Sequence, residues 1–308
     1  MPGEGFTRVR PAQYCRNGGT KPVRGDRPIV LQACGLGDLI GLRYPSLHLE
    51  LSSPQEAATM DSDPSQIPVV PIPFEHGLTR FARSLAAGQA KIVAIGSSTT
   101  AGEGNIKPYP TRLLSFLQAE YQKATITMVN KGKGGEEAPA EFKRFDADVI
   151  AEQPDLVIWQ VGTNAVWQSP DQNPAPPSFN DTTRAIREGL AKLRDETSAD
   201  VILMDLQYVP AVLTSAKKDR AIAMVDAISE LAREAEVNVF RRFAFMKGLY
   251  QVEQVSFDRL VDPTDDSRLH DSDWATQRVA WGVRLAIVGG VDKALSSVGT
   301  TRPLPQQA

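Results

Sequence analysis

Apolar residues along the chain fall into five short clusters, separated by longer stretches in which they recur every three or four positions. The clusters at 91–95, 125–129, 155–161, 201–206 and 237–240 have the length and residue types of strands. The third is a nearly continuous apolar run of the kind buried on both faces. The intervening stretches read as helices. A short one at 76–87 leads to the first strand. Pro110 suits the first turn of the next, where Leu113, Leu114, Leu117 and Tyr121 form a 3.6-period stripe. Another is expected at 138–152. A further helix starts near Asn180-Asp181, a good cap, with Ile186, Gly189, Leu190 and Leu193 on one face. The stretch 216–235 turns Ala221, Met224, Val225, Ile228 and Leu231 inward, and a last helix at 273–287 does the same with Val279, Ala280, Val283 and Ile287.

Strands alternating with helices in this way predict an α/β fold: a mostly parallel five-stranded sheet with right-handed crossovers and helices on both faces. In such a fold every strand-to-helix loop opens on one edge. The 96–102 loop, the 132–135 loop, Thr163-Asn164 and Gln207-Tyr208 should therefore converge there. Residues 1–68 hold neither period for long and are scattered with glycine, proline and arginine, so they read as an irregular N-terminal extension. Prolines at 64, 68, 71 and 73 then make a stiff approach to a folded domain at 69–308.

Composition narrows the function. With 42% hydrophobic and 23% charged residues, the 308-residue chain is ordinary for a soluble globular protein. A net charge of -3 provides no field to draw it to nucleic acid or an anionic membrane. No apolar run approaches the roughly 18–20 residues of a membrane span, and the first residues lack the apolar core of a signal peptide. The two cysteines, Cys15 and Cys34, both lie in the extension, which removes thiolate chemistry and cysteine-ligated zinc from the domain. Compartment and oligomeric state are left open.

The candidate chemistry centres on Gly96-Ser97-Ser98-Thr99-Thr100-Ala101-Gly102, where the first strand stops at a glycine and hands over to small hydroxyl residues. Ser98 is the candidate nucleophile and needs a base to take its proton. Of three histidines, His48, His76 and His270, only His270 follows the last strand and can reach back over the sheet edge. Oxyanion donors are expected from the glycine-rich loop after the second strand and from Asn164 after the third. Trp159 reads as core. Trp167, Gln207 and Tyr208 are candidate substrate contacts, and Arg241-Arg242 reads as a solvated strand end.

The order Gly-x-Ser, Asn-x-x-x-x-Gly, Gly-x-Asn and a late histidine, at Gly96–Ser98, Asn130–Gly135, Gly162–Asn164 and His270, resembles the SGNH (GDSL-type) hydrolases over about residues 70–290. Tyr109-Pro110 also resembles the aromatic-Pro pair of that family. The resemblance implies a three-layer, flavodoxin-like fold and metal- and cofactor-independent hydrolysis of carboxylic esters. It implies Ser98 as nucleophile, His270 as base, and Ser98 N–H, Gly135 N–H and the Asn164 amide as oxyanion donors. Small acyl esters are favoured, including O-acetyl groups on carbohydrate. Lipases, lysophospholipases and thioesterases share the family. A non-catalytic flavodoxin-like module holding a phosphorylated ligand is the alternative outside it, although the 96–102 loop lacks the lysine and spacing of a P-loop. The sequence departs from the family twice. Ser97 stands where an aspartate usually precedes the nucleophile, and Ser267 occupies the aspartate position of Asp-x-x-His. A small shift in the loop would let Asp266 orient the imidazole. Otherwise Ser267 or a backbone carbonyl does so, leaving a Ser-His dyad.

Overall fold

The computed structural model describes residues 69–297, apart from residues 103, 170, 173 and 174, so the 1–68 extension lies outside the described residues. Five strands form one sheet: β1 (Gln89–Gly96), β2 (Thr125–Gly132), β3 (Leu156–Gln160), β4 (Asp200–Met204) and β5 (Asn238–Phe240). Their order is β2-β1-β3-β4-β5, and every pairing is parallel. This is the flavodoxin-like order, in which the chain reverses direction between β1 and β3 and leaves a crevice at their C-terminal ends. All five residues of β3 are buried, as its unbroken apolar run requires.

The helices divide into two layers. In one, α1 (Thr79–Ala86) and α3 (Tyr109–Glu120) pack on α11 (Asp273–Ser297). In the other, α7 (Phe179–Glu196) packs on α4 (Ala138–Phe142) and on α8 (Lys218–Glu234). Shorter helices fill the connections: α2 (Ser98–Ala101), α5 (Phe145–Asp148), α6 (Thr163–Trp167), α9 (Arg242–Gln251) and α10 (Phe257–Leu260). The inward residues of the predicted stripes, including Leu113, Leu117, Ile186, Met224, Ile228, Val283 and Ile287, are all in the core.

Three elements differ from the pattern. The helix expected at 138–152 is broken into α4, α5 and a 3-10 turn at Ile150–Glu152. The break lets Phe145 pack edge-on against Trp159, ring centroids 4.7 Å apart, while Arg144 reaches the Lys131 carbonyl. The cap of α7 is Ser178, whose hydroxyl accepts the Asp181 N–H, not Asn180-Asp181. The last helix also runs ten residues past the expected Ile287, through Gly289-Gly290. These glycines do not terminate it. Leu78 and Phe74 pack so closely on Gly290 that a methyl group there would lie 2.8 Å from Leu78 Cγ, and the Gly290 carbonyl accepts the Leu78 N–H.

The contact that bears most on function is at the end of β2. A Cβ on Gly132 would lie 2.2 Å from the Ala101 backbone nitrogen, so only glycine lets β2 meet α2. Gly132→Ala should therefore lose about 1–3 kcal/mol in urea unfolding through overpacking. Gly289→Ala, on an exposed face of α11 with no neighbour in reach, should instead gain up to about 1 kcal/mol.

Candidate active site

Ser98 is the first residue of α2, and Ser97 occupies the N-cap position. A four-residue helix has too few internal bonds to hold itself, so adjacent strands hold it. From the end of β3, Gln160 Oε1 accepts the Ser97 N–H at 3.1 Å, the Ser97 hydroxyl at 3.1 Å and the Thr100 hydroxyl at 3.2 Å. From β2, Asn130 Nδ2 donates to the Thr100 carbonyl at 2.7 Å, while its Oδ1 accepts the Gly132 N–H. The turn that carries Ser98 is thus braced on both sides of β1. Ser97, in the aspartate position of GDSL proteins, spends its hydroxyl on Gln160.

The histidine arrives from the far end of the chain. Val261 and Asp271 form an isolated antiparallel bridge, with Asp262 N–H donating to the His270 carbonyl and Ser272 N–H to that of Leu260. Between these ends the loop folds around the Asp265 carboxylate. That carboxylate accepts the backbone N–H groups of Ser267 (3.0 Å), Leu269 (2.9 Å) and His270 (2.7 Å), and the Ser267 hydroxyl at 2.6 Å. Arg268 takes a left-handed conformation (φ 53°) that turns the chain back. The result puts Asp265 Oδ2 at 2.9 Å from His270 Nδ1, and His270 Nε2 at 3.1 Å from Ser98 Oγ.

The aspartate on the ring is therefore Asp265 and not Asp266, whose side chain is exposed. The chain does not need the dyad arrangement either, since Ser267 donates to Asp265 rather than to the imidazole. Burial would raise the Asp265 carboxyl. The N–H of His270, the Ser267 hydroxyl, the N–H of Leu269 and the charge of His270 outweigh it and hold the group well below the usual carboxylate range. An ionised carboxylate only accepts, so Nδ1 carries the ring proton and Nε2 of the neutral ring is left to accept the Ser98 hydroxyl.

The expected oxyanion loops are tied together. Lys133 to Glu136 form a turn closed by Glu136 N–H on the Lys133 carbonyl, with Gly135 at φ 79°, the type II position that favours glycine. Asn164 Nδ2 donates to the Glu136 carbonyl at 2.7 Å, and Gln168 Nε2 to that of Gly135 at 3.3 Å. Beneath them the buried Glu137 carboxylate accepts the N–H groups of Ala138, Gly162 and Ala165, locking the start of α6 to the start of α4. Glu141, also buried, accepts the Trp159 indole N–H at 2.7 Å. Burial pushes both carboxyls up, and the nearby Glu137 adds to the rise at Glu141. Neither glutamate nor Gln160 figured among the candidates. A lone glutamine closing an otherwise apolar strand was the available signal for Gln160. The loop lysines pair with acids, Lys131 with Asp148 and Glu152 and Lys133 with Glu136, rather than facing an anion.

A small, shallow cleft opens beside the Ser-His pair and is lined by Ser98, Thr99, Gly102, Ile106, Pro108, His270, Asp271 and Thr276. The three substrate contacts expected from sequence are not among them. Gln207 is buried and committed: its Oε1 accepts from Thr163 and Arg242, and its Nε2 donates to the Leu269 carbonyl. Tyr208 packs with Phe243, Tyr250 and Phe257. Trp167 lies half-buried under Lys217, whose ammonium donates to its carbonyl. Arg242 is a further correction. It is fully buried, its Nε donating to the Asp205 carbonyl at 3.0 Å and Nη2 to Gln207 at 2.7 Å. A guanidinium stays charged, so it needs the buried Asp205 and Asp271 nearby. Among the described residues, no group of three or more His, Cys, Asp or Glu side chains could hold a metal ion, and no helix is long and apolar enough to cross a membrane.

The Non-GDSL lipase-like family matches residues 64–292, and the chain belongs to that family. An acetylxylan esterase from Geobacillus stearothermophilus is 36% identical over 84 residues, which make up 27% of this chain and 36% of that protein. The chain thus aligns with about a third of that relative's length. Among solved structures, the acetylxylan esterase Axe2 of the same organism superposes with a TM-score of 0.53 at 20% identity, covering 66% of this chain and 94% of that one. An α/β hydrolase from the metagenome of Lake Arreo, Spain, gives 0.55 at 20% identity, covering 67% and 96%. At these identities the superpositions establish the shared fold.

The buried charges give a stability prediction. Burial pushes the Asp205 carboxyl up to about 7, against the opposing pull of the Phe243 N–H and of Arg242. The folded value lies above the unfolded one near 4. This contribution to stability is therefore full below about pH 4 and lost as the pH rises through about 7. Between pH 4 and 7 the urea midpoint of Asp205→Asn should fall less steeply than that of the wild type. Parallel profiles would show that Asp205 does not titrate in this window.

Proposed function

We propose that the protein is a serine esterase of the SGNH type that cleaves small acyl groups, acetyl above all, from hydroxylated alcohols such as carbohydrates. The hydrogen-bonded chain from Ser98 Oγ through His270 (3.1 Å) to Asp265 (2.9 Å) carries this reading. Ser98 Oγ attacks the ester carbonyl carbon while its proton passes to His270 Nε2. The developing imidazolium is stabilised by ionised Asp265, which also holds the tautomer. The oxyanion is met by the N–H of Ser98, the N–H of Gly135 and the amide of Asn164. Ser98 N–H belongs to the first turn of α2, where backbone donors have no partner within the helix.

Collapse of the tetrahedral adduct breaks the bond to the alcohol, which leaves with the proton from His270. Water then gives a proton to His270, attacks the acyl-enzyme and releases the carboxylic acid, and Ser98 regains its hydrogen. The preference for short acyl groups is supported by the small cleft beside Ser98, walled by Ile106 and Pro108. The carbohydrate alcohol is supported by the acetylxylan esterase relative.

A panel of aryl esters from acetate to decanoate tests the proposal. The wild type should turn over acetate best, and Ser98→Ala should lower kcat by roughly 10⁴- to 10⁶-fold. No wild-type turnover, or full activity in Ser98→Ala, overturns the reading. Asp265→Ala should lower kcat by about 10²- to 10⁴-fold, since a ring without its carboxylate loses the productive tautomer. Asp266→Ala should stay within about two-fold, as expected of an exposed side chain. The reverse order would return the orienting role to Asp266.

A further inference from the structure

Glu137 sits where the two loops proposed to hold the oxyanion are joined, and it is buried. It is the N-cap of α4, and its Oε1 accepts the Ala138 N–H at 2.9 Å. The same oxygen accepts the Gly162 N–H at 2.7 Å, and Oε2 accepts the Ala165 N–H at 3.1 Å. One carboxylate thus serves the first turns of two helices of five residues each, neither long enough to hold its own shape. Gly135 lies two residues before Glu137, and Asn164 lies between Gly162 and Ala165. Asn164 Nδ2 gives one N–H to the Glu136 carbonyl and carries a second for a ligand.

A carboxylate is a costly choice at this position. Burial strips it of water, and a negative charge near the site opposes the oxyanion. A glutamine would avoid both effects but has a single acceptor oxygen. With that oxygen on the Ala138 and Gly162 N–H groups, its NH2 would face the Ala165 N–H, donor against donor. Only a carboxylate accepts on both sides, and the N–H groups of Gly162, Ala138, Ala165 and Asn164 all oppose the effect of burial on it. Glu141, buried one turn further along α4, instead accepts the Trp159 indole N–H from β3.

We propose that Glu137 is a positioning residue for the oxyanion hole: by capping α4 and α6 with one carboxylate, it fixes the Gly135 N–H and the Asn164 amide at the separation that a tetrahedral adduct on Ser98 requires. This rests on the esterase reading above and names the group that sets its oxyanion geometry. The bonds of Glu137 go to backbone N–H groups and none goes to Ser98, His270 or Asp265. Its loss should therefore weaken binding of the adduct and spare binding of the ester.

The test compares KM for an aryl acetate with Ki for 1,1,1-trifluoroacetone, a ketone to which a serine hydroxyl adds to give a tetrahedral oxyanion. Active sites are first counted by fluorophosphonate labelling to completion, so that a loss of folded protein is not read as a loss of rate. In Glu137→Gln, kcat per labelled site should fall about 10- to 100-fold and Ki should rise by a similar factor, while KM stays within about three-fold. Glu137→Asp keeps the charge but shortens the reach to α6. It should show the same split at smaller size, and it carries the test if Glu137→Gln does not fold. Glu141→Gln should leave kcat and Ki within about three-fold. Unchanged kcat and Ki in the folded Glu137 variants, or a change confined to KM, overturns the proposal. An equal rise of Ki in Glu141→Gln also overturns it, by reducing the effect to a general loosening of the core. These outcomes leave the esterase reading intact. A wild type that does not turn over the aryl acetate removes the esterase reading and this proposal with it.

Discussion

Asp265 collects three backbone N–H groups, one hydroxyl and one imidazole nitrogen on a single carboxylate. The same group that folds the 262–270 loop therefore sets the tautomer of the ring at its end. Because its pKa is held low, its contribution to stability is lost as the pH falls through that depressed value. The bridge between Val261 and Asp271 anchors the loop, and the Gln160 and Asn130 braces anchor α2. Ser98 and His270, 172 residues apart in sequence, meet at hydrogen-bond distance because both ends are fixed independently.

The floor of the site is unusually charged for a protein interior. Arg242, Asp205, Asp271, Glu137 and Glu141 are all buried. Removing one member of a buried ion pair costs about 3–5 kcal/mol, whereas an apolar replacement of the whole set is often neutral. Stability alone does not account for such groups. Glu137 has a geometric use, since it binds the starts of α4 and α6 into one unit and so fixes the spacing of Gly135 and Asn164. Arg242 has another: it holds Gln207, which in turn holds the Leu269 carbonyl one residue before His270. Buried charge thus fixes positions around Ser98.

Much of this was legible in the sequence. The five strands and the larger helices follow from apolar runs long enough to carry a period, and the edge where the loops gather follows from topology. Short elements carry no period, which is why α2 and α6 escaped notice although they bear Ser98 and Asn164. The last helix runs past Ile287 because Gly290, on its buried face, admits Leu78 at close range, a contact that no local pattern announces. Asp265 was passed over for Asp266 because a motif assumes fixed spacing, and a left-handed Arg268 lets a carboxylate reach a ring five residues on. Arg242 reads as solvated because nothing local distinguishes it from Arg241, and its buried partners, Asp205 and Asp271, are distant in sequence.

The most direct measurement is covalent labelling of the wild-type chain with a fluorophosphonate, followed by intact-mass analysis and peptide mapping. A serine activated by His270 predicts one adduct per chain, located on Ser98, absent in Ser98→Ala and strongly slowed in His270→Ala. Failure to label, or an adduct on another residue that abolishes ester hydrolysis, would contradict the assignment of Ser98 as nucleophile.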